Sequence, residues 1–173
     1  TNGDTLWTKS FGSYYSDAFF NVQKSNDVAG GYIATGFSNN ANGGSPSMYV
    51  VKTDKNGKSI FAKTYGSGSY TEGFSIVPNS ESGYLVSGFI QKSTNSGRDI
   101  FLERIGEDGA EIWSKSYGAK GSNPYDTINE VAYAAMAAPG GGYYVTGAIK
   151  GGISMEGGKI FLMKVAENGD SLW

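Results

Sequence analysis

Cysteine and histidine are both missing from the 173 residues, and each absence removes chemistry. Without cysteine there is no disulfide and no thiolate nucleophile. Without histidine the chain lacks the usual zinc ligand and the side chain most often used as a base near neutral pH. No apolar run reaches the roughly 18 residues of a membrane-spanning helix. Charge of one sign is also lacking: 14 Lys and Arg stand against 16 Asp and Glu, a formal net charge of -2. No overall basic field therefore draws a nucleic-acid backbone or an anionic membrane. Neither nucleic acid nor membrane insertion is expected. No signal peptide stands at Thr1, and a chain running from Thr1 to Trp173 reads as processed or cut from something longer. What is plentiful is glycine, 27 residues, beside 12 Tyr, 9 Phe and 3 Trp. That is the composition of aromatic-rich strands separated by tight turns, so an all-β chain is expected.

The strongest pattern is a repeat. Gly3-Asp4-Thr5-Leu6-Trp7 returns as Gly169-Asp170-Ser171-Leu172-Trp173, with variants at Gly57–Phe61 and Gly109–Trp113, spaced 54, 52 and 60 residues apart. Four short strands and their turns use about that length, which favours propeller blades over helical solenoids. In each unit the first strand follows an acidic residue: Ala18–Lys24 after Asp17, Gly73–Pro78 after Glu72, Thr127–Ala138 after Asp126. The second is Gly30–Gly36, Gly83–Gly88 and Gly141–Gly147, and the third Met48–Thr53, Ile100–Ile105 and Ile160–Val165. The fourth is Thr5–Phe11, Ser59–Tyr65 and Glu111–Tyr117. Asn56-Gly57, Asp108-Gly109 and Asn168-Gly169 between strands three and four predict antiparallel hairpins with type I′ turns. Alternation places Leu6, Ile60 and Ile112 on one face of the fourth strand and Trp7, Phe61 and Trp113 on the other, as a sheet packed between two others needs. Ala132–Ala138 favours helix intrinsically, but its place in the repeat makes it a strand.

Variation gathers in the linkers Ser38–Ser47, Gln91–Arg98 and Lys150–Gly158, and in the lead to the first strand, which lengthens to Ala119–Tyr125. Variable loops on one rim are where recognition is usually built.

Together, Trp-x-Lys-x-Phe/Tyr-Gly, an acidic residue, Gly-Gly-Tyr-x-x-x-Gly, an apolar third strand and Asn/Asp-Gly before the next Trp resemble the β-propeller repeats of large secreted and cell-surface proteins of bacteria and archaea. The resemblance covers the whole chain, with Phe61 for Trp and Ser82-Gly83 for Gly-Gly in the second unit. It implies extracellular display, adhesion or scaffolding rather than a named reaction. The expected architecture is one repeat region over 1–173, with three four-stranded antiparallel blades near 17–66, 72–118 and 126–173. Residues 1–12 form a surplus N-terminal strand, the outer strand of a preceding or partner blade. Three blades and a spare strand fall short of the ~4–8 blades of ordinary propellers. The chain is thus expected to join further blades of a longer chain or other copies of itself, a pair giving six blades.

Several constellations bear on chemistry. Asp17, Glu72 and Asp126 fall at one position of successive units; a carboxylate ring there would hold a cation or meet a sugar, whereas turn capping needs only backbone N–H donors. Asp54-Lys55-Asn56-Gly57 has the look of a calcium loop but offers too few of the six to eight oxygens required. Lys9, Lys63 and Lys115, with Lys52, Arg104 and Lys164, read as edge protection and solvated charge. Tyr14, Tyr15, Tyr70 and Tyr125 stand in the loops before the first strands, as flat contact area for sugars or proteins or as packing between blades. Paired carboxylates would suit a glycosidase or lyase, while a hydrolase of the triad kind lacks its histidine. The expectation is an extracellular or cell-surface structural, adhesion and assembly module without enzymatic activity, metal or cofactor. The alternative is a carbohydrate-binding module using the rim tyrosines and carboxylates.

Overall fold

The computed structural model describes residues 2–26, 30–39, 44–79, 81–94, 96–118, 128–150 and 158–173. They form eleven strands and, among the described residues, no helix. The strands are β1 (Asp17–Lys24), β2 (Gly31–Ser38), β3 (Ser47–Asp54), β4 (Ser59–Tyr65), β5 (Tyr70–Pro78), β6 (Tyr84–Gln91), β7 (Asp99–Ile105), β8 (Glu111–Tyr117), β9 (Asn129–Ala137), β10 (Tyr143–Lys150) and β11 (Lys159–Val165). Each strand pairs antiparallel with its successor, giving sheets β1-β2-β3-β4, β5-β6-β7-β8 and β9-β10-β11. The third sheet is three-stranded rather than four-stranded. Its fourth position holds only a bridge between Val165 and Ser171, extended by hydrogen bonds from Lys164 N–H to the Trp173 carbonyl (2.9 Å) and from Leu172 N–H to the Lys164 carbonyl (2.8 Å). Residues 2–12 form no strand either and pair with none of the described strands.

The repeat is legible atom by atom in two devices. The first is the glycine in mid second strand. A Cβ on Gly36, Gly88 or Gly147 would stand 1.8 Å from the carbonyl oxygen of Ala18, Glu72 or Val131, so only glycine lets the first strand come so close. Beside each of these glycines the first strand carries an extra residue: the register skips Phe20, Phe74 and Tyr133. The second device is the hairpin between strands three and four. Gly57 N–H donates to the Asp54 carbonyl (3.1 Å) and Asp54 N–H to the Lys58 carbonyl (2.9 Å), with Gly57 at φ 76° and the same pattern at Gly109 and Gly169. Asn56, Asp108 and Asn168 keep negative φ, so these are three-residue turns with a glycine bulge rather than type I′. Asp54 caps its own turn, accepting from the N–H groups of Asn56 (2.8 Å) and Lys58 (2.9 Å), which is where its carboxylate is spent instead of on calcium.

The three sheets stack face to face. Ile33, Met48, Val50 and Tyr65 of the first meet Ile76, Tyr84, Val86, Phe101 and Ile105 of the second. Leu85, Ile100 and Leu102 on the other side of the second sheet meet Tyr143, Val145, Met163 and Val165 of the third. The middle sheet is therefore apolar on both faces, and seven of the eight residues of β6 are buried. The fourth strands are packed on one side only. Phe61 and Trp113 are half-buried against the next sheet, whereas Ile60 and Ile112 are 54% and 57% exposed, correcting the expectation of two packed faces.

Candidate functional site

The residues that sequence singled out do not converge. Asp17 opens β1 and accepts hydrogen bonds from Ser13 N–H (2.7 Å) and the Ser38 hydroxyl. Burial pushes its pKa up, but the Ser38 and Ser13 donors outweigh this and hold it below the usual carboxylate range. It fills the space beside Gly12, as Thr71 does beside Gly66; beside Gly118 the nearest group is Asp99, with Glu130 just behind it. The pairings Asp17↔Ser38, Thr71↔Ile90 and Glu130↔Ile149 confirm that these three are equivalent. Glu72 is one residue further along and points to the opposite face, so Asp17 and Glu72 are not members of one ring. Asp126 and Tyr125 lie outside the described residues, as do 40–43, 95, 119–124 and 151–157 of the linkers.

Tyr14 and Tyr15 do stand on a loop, 97% and 52% exposed and edge to face at 6.1 Å. Tyr70 instead is the first residue of β5. Its ring packs on Phe89 at 5.1 Å, the Arg98 guanidinium lies 5.5 Å from its centroid, and its hydroxyl donates to Glu72 (2.5 Å). Burial, then Glu72, push its pKa to about 12. Among the described residues no three acidic side chains gather as a metal cluster.

What the fold does bring together is a polar clamp at each joint between sheets. Lys52 on β3 is 2% exposed and reaches Glu107 in the β7-β8 hairpin of the next sheet, Nζ to Oε2 2.6 Å, while lying 5.5 Å over the Tyr84 ring. Glu107 also accepts from Gly83 N–H (2.8 Å), the Tyr84 hydroxyl (3.0 Å) and Asn26 (3.2 Å). Burial opposes its ionisation, but Lys52 and these donors lower its pKa to about 2. At the second joint Glu167 accepts from Gly142 N–H (2.7 Å) and Asn79 (2.9 Å), and Asn79 also meets the Tyr143 hydroxyl. Arg104, 6% exposed, donates to the carbonyls of Ser82 and Ile105. Lys52 and Arg104 on the third strands are thus buried joint residues, not solvated charge, whereas Lys164 is only half-buried. Those on the fourth strands reach forward: Lys63 to the Asp108 carbonyl (3.0 Å) and Lys115 to Asp170 (2.5 Å).

Two further features escaped the sequence reading. Phe20, Phe74 and Tyr133, the bulge residues, form a ladder across all three sheets with centroids 5.1 and 5.5 Å apart, and its ends are 47% and 49% exposed. Aligning the units on Gly36, Gly88 and Gly147 would have found it. The other is an open groove of ≈ 580 Å³ on the outer face of the first sheet. Val22, Tyr32, Ala34, Val51 and Thr53 line it, and Trp7, Lys9 and Phe11 form its far wall. Trp7 stands against Gly57 as Phe61 stands against Gly109 and Trp113 against Gly169. Residues 7–11 therefore occupy, for the first sheet, the place that β4 and β8 occupy for the second and third.

The class these features define is an all-β stack of antiparallel meanders held by repeated joints. No protein-family model matches the chain, and no curated protein matches it in sequence.

Proposed function

We propose that the chain is a non-enzymatic assembly module, displayed outside the cell or on its surface, built of β-propeller blades whose open faces take further blades. One observation carries this reading. Positions buried between sheets inside the stack are bare at its two ends: Val22 and Tyr32 are 59% and 40% exposed where Ile76 and Tyr84 are fully buried, and Ile160 and Leu162 are 92% and 59% exposed where Met48 and Val50 are fully buried. Apolar surface repeated in a joint-forming pattern favours association over solvation. The test compares the chain with its Ile160→Asp/Leu162→Asp variant by light scattering over a concentration series. Weak association, seen only at the high end of the concentration series and lost in the variant with an unchanged Tm, is the expected result. A wild-type chain that never associates would sink the reading.

The aromatic ladder favours a second reading, a carbohydrate-binding face on Phe20, Phe74 and Tyr133, because partly exposed rings in a row stack well on sugar rings. A glycan array with wild type and Tyr133→Ala separates the two: only the sugar reading expects spots that the variant loses.

A further inference from the structure

The two ends of the stack are the two halves of one joint. The face that the first sheet turns to the second is built on Ile33, Met48, Val50 and Lys52. The corresponding positions of the third sheet, Tyr144, Ile160, Leu162 and Lys164, follow from the pairings Ile33↔Lys52 and Tyr144↔Lys164, and they face outward. The same positions of the second sheet, Ile100, Leu102 and Arg104, are buried in the second joint. Two finished copies of the joint thus show what the unfinished one requires. Each has apolar side chains facing Tyr84 or Tyr143, and a glutamate of the incoming hairpin that accepts from the glycine N–H before that tyrosine. In the first joint that glutamate also takes the cation of the third strand.

Lys164 makes no ion pair among the described residues and lies over its own neighbour Tyr144 at 5.6 Å. The first sheet of a second copy would present the right apolar groove. At the place of Glu107 and Glu167, however, it carries Lys55, in the hairpin Asp54-Lys55-Asn56-Gly57. Head-to-tail stacking of identical chains would set Lys55 against Lys164, and like charges in a partly desolvated joint are unfavourable. It would also bring Gly3–Trp7 of one copy to the slot beside β11 that Gly169–Trp173 of the other already holds.

We infer that the outward face of the third sheet is a docking site for a sheet of this repeat kind whose hairpin between third and fourth strands carries a carboxylate for Lys164, and that a second copy of this chain fits it poorly. The inference rests on the assembly reading. It is tested with four full-length proteins, wild type, Lys55→Glu, Lys164→Glu and the double variant, by sedimentation equilibrium at low salt. Both positions lie on the surface of the isolated stack, and Leu162→Asp in the Lys55→Glu background serves as the face control.

The Lys55→Glu and Lys164→Glu proteins each restore an opposite-charge pair and are expected to self-associate roughly tenfold more tightly than wild type. The double variant returns to the wild-type value, and Leu162→Asp abolishes the gain. All carry the same duplicated Gly3–Trp7 stretch, so the ratios read the charge alone. Equal association of all four overturns the inference and leaves the assembly reading standing. No association in any of them overturns both.

Discussion

Glu103 occupies a place where the equivalent residues of the other sheets, by register, are Val51 and Met163. It is fully buried, and among the described residues neither carboxylate oxygen has a hydrogen-bond partner. Burial, reinforced by the charge of Glu111, raises its pKa from 4.5 to about 9. The fold therefore keeps this group protonated where the unfolded chain releases the proton. The stability it contributes is fully present below pH 4.5 and is lost as pH rises through about 9. Denaturant titrations across that range should show declining stability in wild type and a flatter profile in Glu103→Gln, which is expected to be about 3 kcal/mol more stable at pH 7. A parallel pair of profiles would contradict the assignment. Glycines give a second contrast at this scale. Gly88→Ala forces a Cβ to within 1.8 Å of the Glu72 carbonyl oxygen and is expected to cost about 3 kcal/mol. Gly68→Ala, in open space at φ +83°, is expected to cost only about 1 kcal/mol, both read by urea denaturation.

At the scale of the element, one register position does two jobs. Lys52 closes a joint while Lys164 lies on an open face. Lys52→Met leaves the Glu107 carboxylate without its cation and is expected to cost about 2 kcal/mol, whereas Lys164→Met should fall within about 0.5 kcal/mol of wild type. Equal losses in the two variants would mean that the Lys52 to Glu107 contact is ordinary surface charge. Acid should expose the same joint, because Glu107 keeps its contribution above pH 4.5 and loses it as pH falls towards about 2.

This position also shows what the sequence could and could not tell. Every described strand was legible to within a few residues, since glycine spacing and apolar alternation are local signals. The register of Lys52, Arg104 and Lys164 was legible too, but the burial of Lys52 was not, because it depends on a partner hairpin about 55 residues away in the chain. Asp17 and Glu72 looked equivalent because each is the acidic residue nearest its strand. The bulges at Phe20 and Phe74 set the true register, and a bulge has no composition of its own. The turn type failed for a related reason: Asn-Gly suits both type I′ and the bulged three-residue turn, and only the pairing decides.

Across the whole molecule, protection is uneven. The second sheet is covered on both faces, the first and third on one each. Amide exchange is therefore expected to be slowest in β6, with β1 and β11 opening at lower free energy than the whole chain unfolds. Uniform exchange across the three sheets would show instead that the stack opens as one unit. The two joints that produce this gradient share one design: a hairpin glutamate, a glycine N–H and the tyrosine after it recur at matching stations in the second and third sheets. Such a chain grows by whole units without redesign, since a duplicated unit arrives with both halves of its own fastening. On the assembly reading proposed above, length is then a heritable variable that recombination alters in single steps, and identity is written only at the outermost stations, where Lys55 stands in the place of a glutamate.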